Sequence, residues 1–196
     1  MELLTLDLLR HALLYLLVPA WLLVGLADYL CHRAQHIEET AGLHESLLHL
    51  AMIAALAGGV CTALFFEMNA ATLWILLGAC VLHEVIMLAD LHWADESRGI
   101  PWYEQWVHGM QQAIPWMGLA AVMLLHPTQT LAMFGLGDMV AEWQLVWKRT
   151  PLPEGYVPTF IAAGALLVGL PFLEEAGRCV RVRMQRRREV PAWKVR

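Results

Sequence analysis

Charged residues are scarce in this chain: Asp, Glu, Lys and Arg together make up 16% of its 196 residues. Hydrophobic residues make up 59%, and the mean hydropathy is +0.52. An ordinary soluble domain has about 25% charged residues and at most about 50% apolar ones. This composition therefore excludes that class and indicates an integral membrane protein.

Sequence motifs of several enzyme classes are also missing. The chain has no P-loop, dinucleotide-binding fingerprint, nucleophile elbow or HExxH zinc motif. Its four cysteines lie in or beside apolar segments and lack the paired spacing of a disulfide or a zinc knuckle. The common nucleotide-dependent, serine-nucleophile and thiolate-zinc functions are accordingly not expected.

Five apolar segments are long enough to cross a hydrocarbon core of roughly 30 Å. Because lipid offers the backbone no hydrogen-bond partner, and strand-length alternation is missing, each segment is predicted to be a helix. The predicted fold is an all-α, polytopic membrane helical bundle of about five transmembrane helices, four of which surround a polar metal site. The segments lie at about 11–31, 46–66, 71–91, 106–126 and 158–175.

Most of the Lys and Arg residues lie at the carboxyl end of the chain. By the positive-inside tendency this end is predicted to be cytoplasmic and the amino terminus external. The chain would then divide into a transmembrane bundle, 1–177, and a basic cytoplasmic tail, 178–196. Contact with anionic lipid head groups explains such a tail better than nucleic-acid binding, because no aromatic-interleaved basic domain accompanies it.

Acids and histidines occur in pairs beside or inside the apolar segments. Three pairs are separated by four residues and a fourth by seven, so both members of each pair are expected on one helix face. Under the predicted topology all four pairs lie near the cytoplasmic side. Ionisable residues at membrane depth are costly and commonly functional, which favours a metal site. The predicted ligands are Asp28 and His32, Glu45 and His49, His83 and Asp90, and Glu104 and His108.

Helical rise places these ligands at two depths. The deeper layer is predicted to hold three imidazoles and one carboxylate, and the shallower layer the reverse. Each layer resembles the ligand set of a divalent transition-metal ion, so the sequence predicts two ions. Glu38, Glu84 and Gln112 are expected to orient the ligating imidazoles. Arg33 and Arg98 are candidates to offset surplus carboxylate charge.

The ligand pattern resembles that of ferritin-like di-iron and di-manganese bundles, in which facing helices project carboxylates and histidines into the core. Those bundles use Glu-x-x-His, whereas the pairs here are four or seven residues apart. The chain is also similar in kind to histidine-rich membrane hydroxylases and desaturases, although their HxxHH boxes are missing. The segments IEETAGLHESLLHL (Ile37–Leu50) and IPWYEQWVH (Ile100–His108) resemble a group of small bacterial inner-membrane proteins, which implies a multi-pass location in that membrane.

These observations predict a membrane-embedded di-metal protein, an oxidoreductase or oxygenase that acts on a lipid-soluble substrate near the cytoplasmic face. Mixed carboxylate and imidazole ligands favour iron or manganese. A zinc-dependent membrane lipid hydrolase is the main alternative. A non-catalytic metal-binding or metal-transport protein and a bis-histidine haem protein are further alternatives. The sequence assigns no individual catalytic residue, and it leaves open whether the chain forms a homo-oligomer.

Overall fold

The computed structural model describes residues 2–189, and helices account for most of them. The all-helical bundle predicted from the sequence is therefore confirmed. Two of its helical rods contain a π-helical turn, and a loop at 134–155 precedes the last rod. The elements in chain order are α1 (Glu2–Ala12), a π-helical turn (Leu13–Leu17), α2 (Val18–Ala34), α3 (Gly42–Phe65), α4 (Ala70–Arg98), α5 (Trp102–Leu125), α6 (Pro127–Met133), α7 (Tyr156–Gly164), a second π-helical turn (Ala165–Gly169) and α8 (Leu170–Glu189).

Within residues 2–189, four helical rods are long and apolar enough to cross a membrane. They cover four of the five predicted segments. The remaining segment, at about 106–126, lies in α5, a 24-residue helix that is not among those four rods. The count of five spans therefore stays a prediction. The four rods are Leu3–Ala34, Gly42–Phe65, Ala70–Arg98 and Tyr156–Arg188.

The link between α4 and α5 is short, and its conformation depends on a glycine and a proline. Gly99 ends α4 with a φ of +68°, a conformation that costs glycine little and other residues more. Pro101 then precedes the first turn of α5, where its fixed φ is compatible with a helix start. The reversal sets the end of α4 beside the start of α5, and Arg98 thereby contacts Glu104.

The most extensive helix contact is between α3 and α4; α2 also packs on α5, and α3 on α8. Gly59 permits the close approach of α3 and α4, since a Cβ at this position would lie 2.8 Å from the Cβ of Ala79. Small residues commonly have this role where membrane helices cross.

The bundle interior changes character along its length. Towards the ends of α3 and α5 and the start of α4 it is apolar, with buried clusters of aliphatic and sulfur-containing side chains. Near the ends of α2 and α4 and the starts of α3 and α5, the buried side chains are mostly acids and histidines. The apolar clusters contain Leu56, Cys80 and Leu119, and Ala70, Leu73 and Met133.

The basic run predicted as a separate tail continues α8 as far as the structure describes it. Arg178 pairs with Glu38 in the loop between α2 and α3. Farther along α8, Arg186 Nη2 donates to the carbonyl oxygen of Glu39 at 2.8 Å. These contacts attach α8 to that loop. The domain division and the cytoplasmic location stay predictions, and 190–196 lie outside the described residues.

Gly59→Ala is expected to lower the free energy of unfolding by about 1–3 kcal/mol, because the added Cβ overpacks the contact with Ala79. Gly58→Ala is the matched control, since nothing lies within 4 Å of a Cβ at Gly58. It should raise stability slightly, because alanine favours a helix more than glycine does. Thermal unfolding in detergent measures both effects, and equal shifts would contradict the packing role of Gly59.

Candidate metal centre

Five helices contribute buried acids and histidines to one end of the bundle. Each of these side chains is at most 3% exposed. Seven of the eight predicted ligands are among them, together with Glu175, which was not a predicted ligand. This cluster consists of Asp28 and His32 from α2, Glu45 and His49 from α3, Asp90 from α4, Glu104 and His108 from α5, and Glu175 from α8.

The first group of potential ligands joins α2 to α5. Asp28, His32, Glu104 and His108 can each offer one atom such that all four atoms lie within 4.8 Å of one another. His32 Nε2 lies 3.3 Å from Asp28 Oδ1 and 3.5 Å from Glu104 Oε1. His108 Nε2 lies 3.1 Å from the same Asp28 oxygen. The group contains two imidazoles and two carboxylates, a suitable donor set for a divalent transition-metal ion.

The second group joins α3 to α4. One atom each from Glu45, His49 and Asp90 lie within 4.8 Å of one another, and His49 Nε2 is 3.3 Å from Asp90 Oδ2. Glu45 Oε1 is also 3.9 Å from His32 Nε2, an atom of the first group. The Glu45 carboxylate therefore lies between the two groups and within reach of both.

Glu175 links the two groups from the opposite side of the imidazole rings. Its two carboxylate oxygens lie 3.1 Å from His32 Nδ1 and 3.0 Å from His49 Nδ1. Because a carboxylate only accepts hydrogen bonds, each Nδ1 must donate. The lone pair of each neutral imidazole then lies on Nε2, on the side of the ring away from Glu175. Metal-ligating histidines commonly have such a carboxylate partner.

The two imidazoles that share Glu175 are stacked. The ring centroids of His32 and His49 are 4.3 Å apart, and the ring planes differ by 7°. Phe172, one turn before Glu175 on α8, places its ring 6.1 Å from His32 and 5.4 Å from His49. At 2% exposure Phe172 covers the rings with apolar surface. Rotation of either imidazole is thus limited by a hydrogen bond and by packing.

Several buried polar atoms of the cluster lack a hydrogen-bond partner within residues 2–189. Buried polar atoms in proteins are usually satisfied, so a concentration of unsatisfied atoms needs another partner. A metal ion meets that need for both imidazole nitrogens and carboxylate oxygens. The atoms are Asp28 Oδ1, His32 Nε2, His49 Nε2, Asp90 Oδ1 and Oδ2, and His108 Nδ1.

The cluster has a large excess of negative charge. It holds five carboxylates, and Arg98 is the guanidinium that contacts it. Arg98 Nη2 lies 2.7 Å from Glu45 Oε1, and Arg98 also pairs with Glu104. If the imidazoles are neutral, four negative charges remain, which equals the charge of two divalent cations. Uncompensated buried charge costs several kcal/mol per ion, so the cluster requires either bound protons or metal ions.

Two amide side chains orient carboxylates of the first group. Gln111 Nε2 donates to Asp28 Oδ2 at 3.1 Å, which leaves Oδ1 facing His32 and His108. Gln35 donates to Glu104 Oε2 and accepts a hydrogen bond from Arg98. Gln111 therefore leaves one Asp28 oxygen directed at the imidazoles, whereas the other Glu104 oxygen, Oε1, faces His32 and also pairs with Arg98.

His83 is the predicted ligand that the structure does not bring into either group. It is 5% exposed and lines an apolar cavity instead. His83 and Asp90 share a helix face, but seven residues correspond to about 10 Å of helical rise. Only Asp90 is close enough to the second group. Two residues on one helix face can therefore be expected to contact the same group only when they are about one turn apart.

The three residues expected to orient the imidazoles have other contacts. Gln112 Nε2 donates to Glu84 Oε1 at 3.0 Å, so these two bind each other. Glu38 pairs with Arg178. Where the structure describes the chain, the imidazole-orienting acid is Glu175.

The predicted division into a deeper and a shallower layer does not match the two groups. The first group takes Asp28 and His108 from the deeper layer and His32 and Glu104 from the shallower one. An acid and a histidine one turn apart face the same neighbouring helix. The pair on α2 therefore contacts the pair on α5. Helix contact, and not depth alone, therefore determines the grouping.

Comparisons with family models, with characterised proteins and with solved structures found no match to this chain. Evidence about its function consequently comes from the cluster itself. These buried acids and histidines could hold a metal ion.

Arg98→Met is expected to lower the free energy of unfolding of metal-free protein by about 3–5 kcal/mol, because Glu45 and Glu104 would keep their buried charge without its partner. Arg33→Met is the control. Arg33 pairs with Glu174 at 3.2 Å, and both side chains are substantially exposed, so stability should change little. Chemical unfolding of chelator-treated protein measures both. Unchanged stability in Arg98→Met would contradict its neutralising role.

Proposed function

We propose that this protein is a membrane-embedded di-metal oxidoreductase or oxygenase. The observation that carries the proposal is the pair of stacked imidazoles on Glu175, each with its Nε2 directed at unsatisfied carboxylates. This arrangement prepares two separate metal-binding nitrogens side by side. The four uncompensated negative charges support two divalent ions.

The first ion is assigned to the group Asp28, His32, Glu104 and His108, and the second to Glu45, His49 and Asp90. Glu45 would help to hold the second ion, and its carboxylate also accepts hydrogen bonds from Arg98. Seven ligands for two ions leave coordination positions available to a reactant.

Iron or manganese fits this ligand set best. Carboxylate oxygens are hard donors that stabilise an oxidised ion, whereas imidazoles bind both oxidation states. The metals, when bound, supply the redox chemistry. The chain's own residues hold the ions, and Phe172 and its neighbours keep bulk water from the two stacked histidines.

A lipid-soluble substrate is supported by an apolar cavity of about 310 Å³ that reaches the cluster. Asp28 and His49 form part of its wall, beside Phe172, Met52 and Val168. A cavity of this size is within the range of small-molecule sites, roughly 300–1,000 Å³. Its apolar walls favour a hydrocarbon over a polar metabolite.

A zinc-dependent lipid hydrolase is the second candidate. Asp90 favours it, because both of its buried oxygens lack a hydrogen-bond partner among the described residues and one could act as a base beside a metal-bound water. Haem ligation is disfavoured, since His32, His49 and His108 each lie within 3.3 Å of a carboxylate oxygen.

For the location, we propose the bacterial inner membrane, with the cluster and the carboxyl end of α8 on the cytoplasmic side. The arginines of α8 lie beyond Glu175, at the end of the rod nearest the cluster. The positive-inside tendency places such a run in the cytoplasm.

Protein purified without chelator is expected to contain two transition-metal ions per chain. Elemental analysis measures the stoichiometry, and an optical spectrum before and after reduction distinguishes oxidised di-iron from spectroscopically silent zinc. The single-site variants His49→Ala and His108→Ala should each lose metal, whereas His11→Ala should not, because His11 is exposed and lies far from the cluster. Wild-type protein without stoichiometric metal would refute the proposal.

Glu175→Gln is expected to weaken metal binding by about 10–100-fold, the usual effect of removing a carboxylate that orients a histidine ligand. Glutamine can accept from one Nδ1 but presents an amide N–H to the other, so one imidazole loses its orientation. Glu174→Gln is the matched control, because Glu174 pairs with Arg33 and Arg178 outside the cluster. Competition with a chromogenic chelator gives both affinities, and equal affinities would exclude the role assigned to Glu175.

A further inference from the structure

Two apolar cavities, each partly open at the surface of the bundle, adjoin one another. The cavity that reaches the cluster has a volume of about 310 Å³, and the second has a volume of about 470 Å³. They share four wall residues, Trp21, Leu56, Val60 and Phe160. Together they extend along α1 and α2 from the cluster towards the other end of the bundle.

The end of the second cavity remote from the cluster is positively charged. Arg10 and Lys148 both line it, and Lys148 Nζ donates to the carbonyl oxygen of Ala63 at 2.7 Å. The acid that lines this end, Glu67, already accepts a hydrogen bond from the backbone N–H of Arg149 at 2.7 Å. This end thus has two cationic side chains and one carboxylate that is already hydrogen-bonded, so it would stabilise an anionic group.

Between its two polar ends the path is apolar. The walls there consist mainly of Leu, Val, Ala, Gly and aromatic side chains. The helical rise from Arg10 to Asp28 is about 27 Å, close to the roughly 30 Å of a hydrocarbon core. A long ligand with one anionic end and a hydrocarbon chain matches this distribution of charge and length.

We propose that the two cavities bind a single-chain anionic amphiphile, with its head group at Arg10 and Lys148 and its chain directed at the cluster. The inference rests on the proposed di-metal function and specifies its substrate class. It also specifies which carbon atoms of the amphiphile would lie at the cluster, namely those near the end of the chain remote from the head group. His83 and Gln111 line the cavity where this chain end would lie.

Photo-crosslinking with two long-chain fatty acids tests this orientation. One probe carries a diazirine near the terminal methyl group and should label Met52 or Phe172 beside the cluster. The other carries it near the carboxylate and should label Leu14 or Tyr156. Peptide mass spectrometry locates the labels. A reversed order, or the same sites with both probes, would overturn the proposal.

A matched pair of substitutions on α3 distinguishes the cavity from the lipid-facing surface. Ala57→Phe fills the cavity beside the cluster, whereas Ala54→Phe lies on the same helix outside both cavities. Ala57→Phe should reduce labelling by the methyl-end probe about tenfold, which equals 1.4 kcal/mol in binding free energy. Ala54→Phe should leave it unchanged. Equal labelling of the two variants would show that the probe occupies only surface sites and would overturn the proposal.

A second pair of substitutions tests the positively charged end of the second cavity. Lys148→Gln should weaken labelling by both probes, whereas Arg149→Gln should not, because the Arg149 side chain does not line the cavity. An alkyl phosphate probe compared with the fatty acid shows whether a phosphate or a carboxylate head binds more tightly. Metal content is measured on the same samples. Metal-free wild-type protein would refute the di-metal function, whereas failed labelling of metal-loaded protein would refute only the amphiphile.

Discussion

The burial of five carboxylates beside a single guanidinium is the constraint on which this structure depends. At membrane depth such charges are expensive, and Arg98 compensates for only part of them. The remainder requires protons or metal ions. Each contributing helix supplies only one or two of the acids and histidines, so the cluster exists only when all five helices are packed. Metal binding and folding are therefore expected to be coupled.

Glu175 connects this cluster to the last helical rod. It holds His32 of α2 and His49 of α3 in one hydrogen-bonded unit, and Phe172 on the same rod covers the two rings. The π-helical turn Ala165–Gly169 precedes them and places Val168 against Gly25 of α2. Such turns are frequent at functional sites. One rod thus orients two ligands, excludes water from them and forms a wall of the adjacent cavity.

The sequence predicted the parts of the site that depend on local spacing. Asp28 and His32 are one turn apart, so their common face followed from helix geometry alone, and the same holds for Glu104 and His108. Glu175 could not be found in this way, because its histidine partners are 143 and 126 residues distant. The available signal was weak: two adjacent acids that end an apolar run. His83 lies outside both groups for the converse reason: it shares a helix face with Asp90, but the two residues are two turns apart along the helix.

The proposed orientation of the amphiphile follows from the distribution of charge along the two cavities. With two divalent ions bound, the cluster would have no net positive charge to hold an anionic head group, so burying that group there would carry a desolvation penalty. A neutral chain end carries no such penalty, and the opposite end of the path offers Arg10 and Lys148 to the head group. The walls between the two ends are mainly apolar, so they would not stabilise an anionic group there. The difference in charge between the cluster and the opposite end of the path would therefore determine which end of a lipid reaches the cluster.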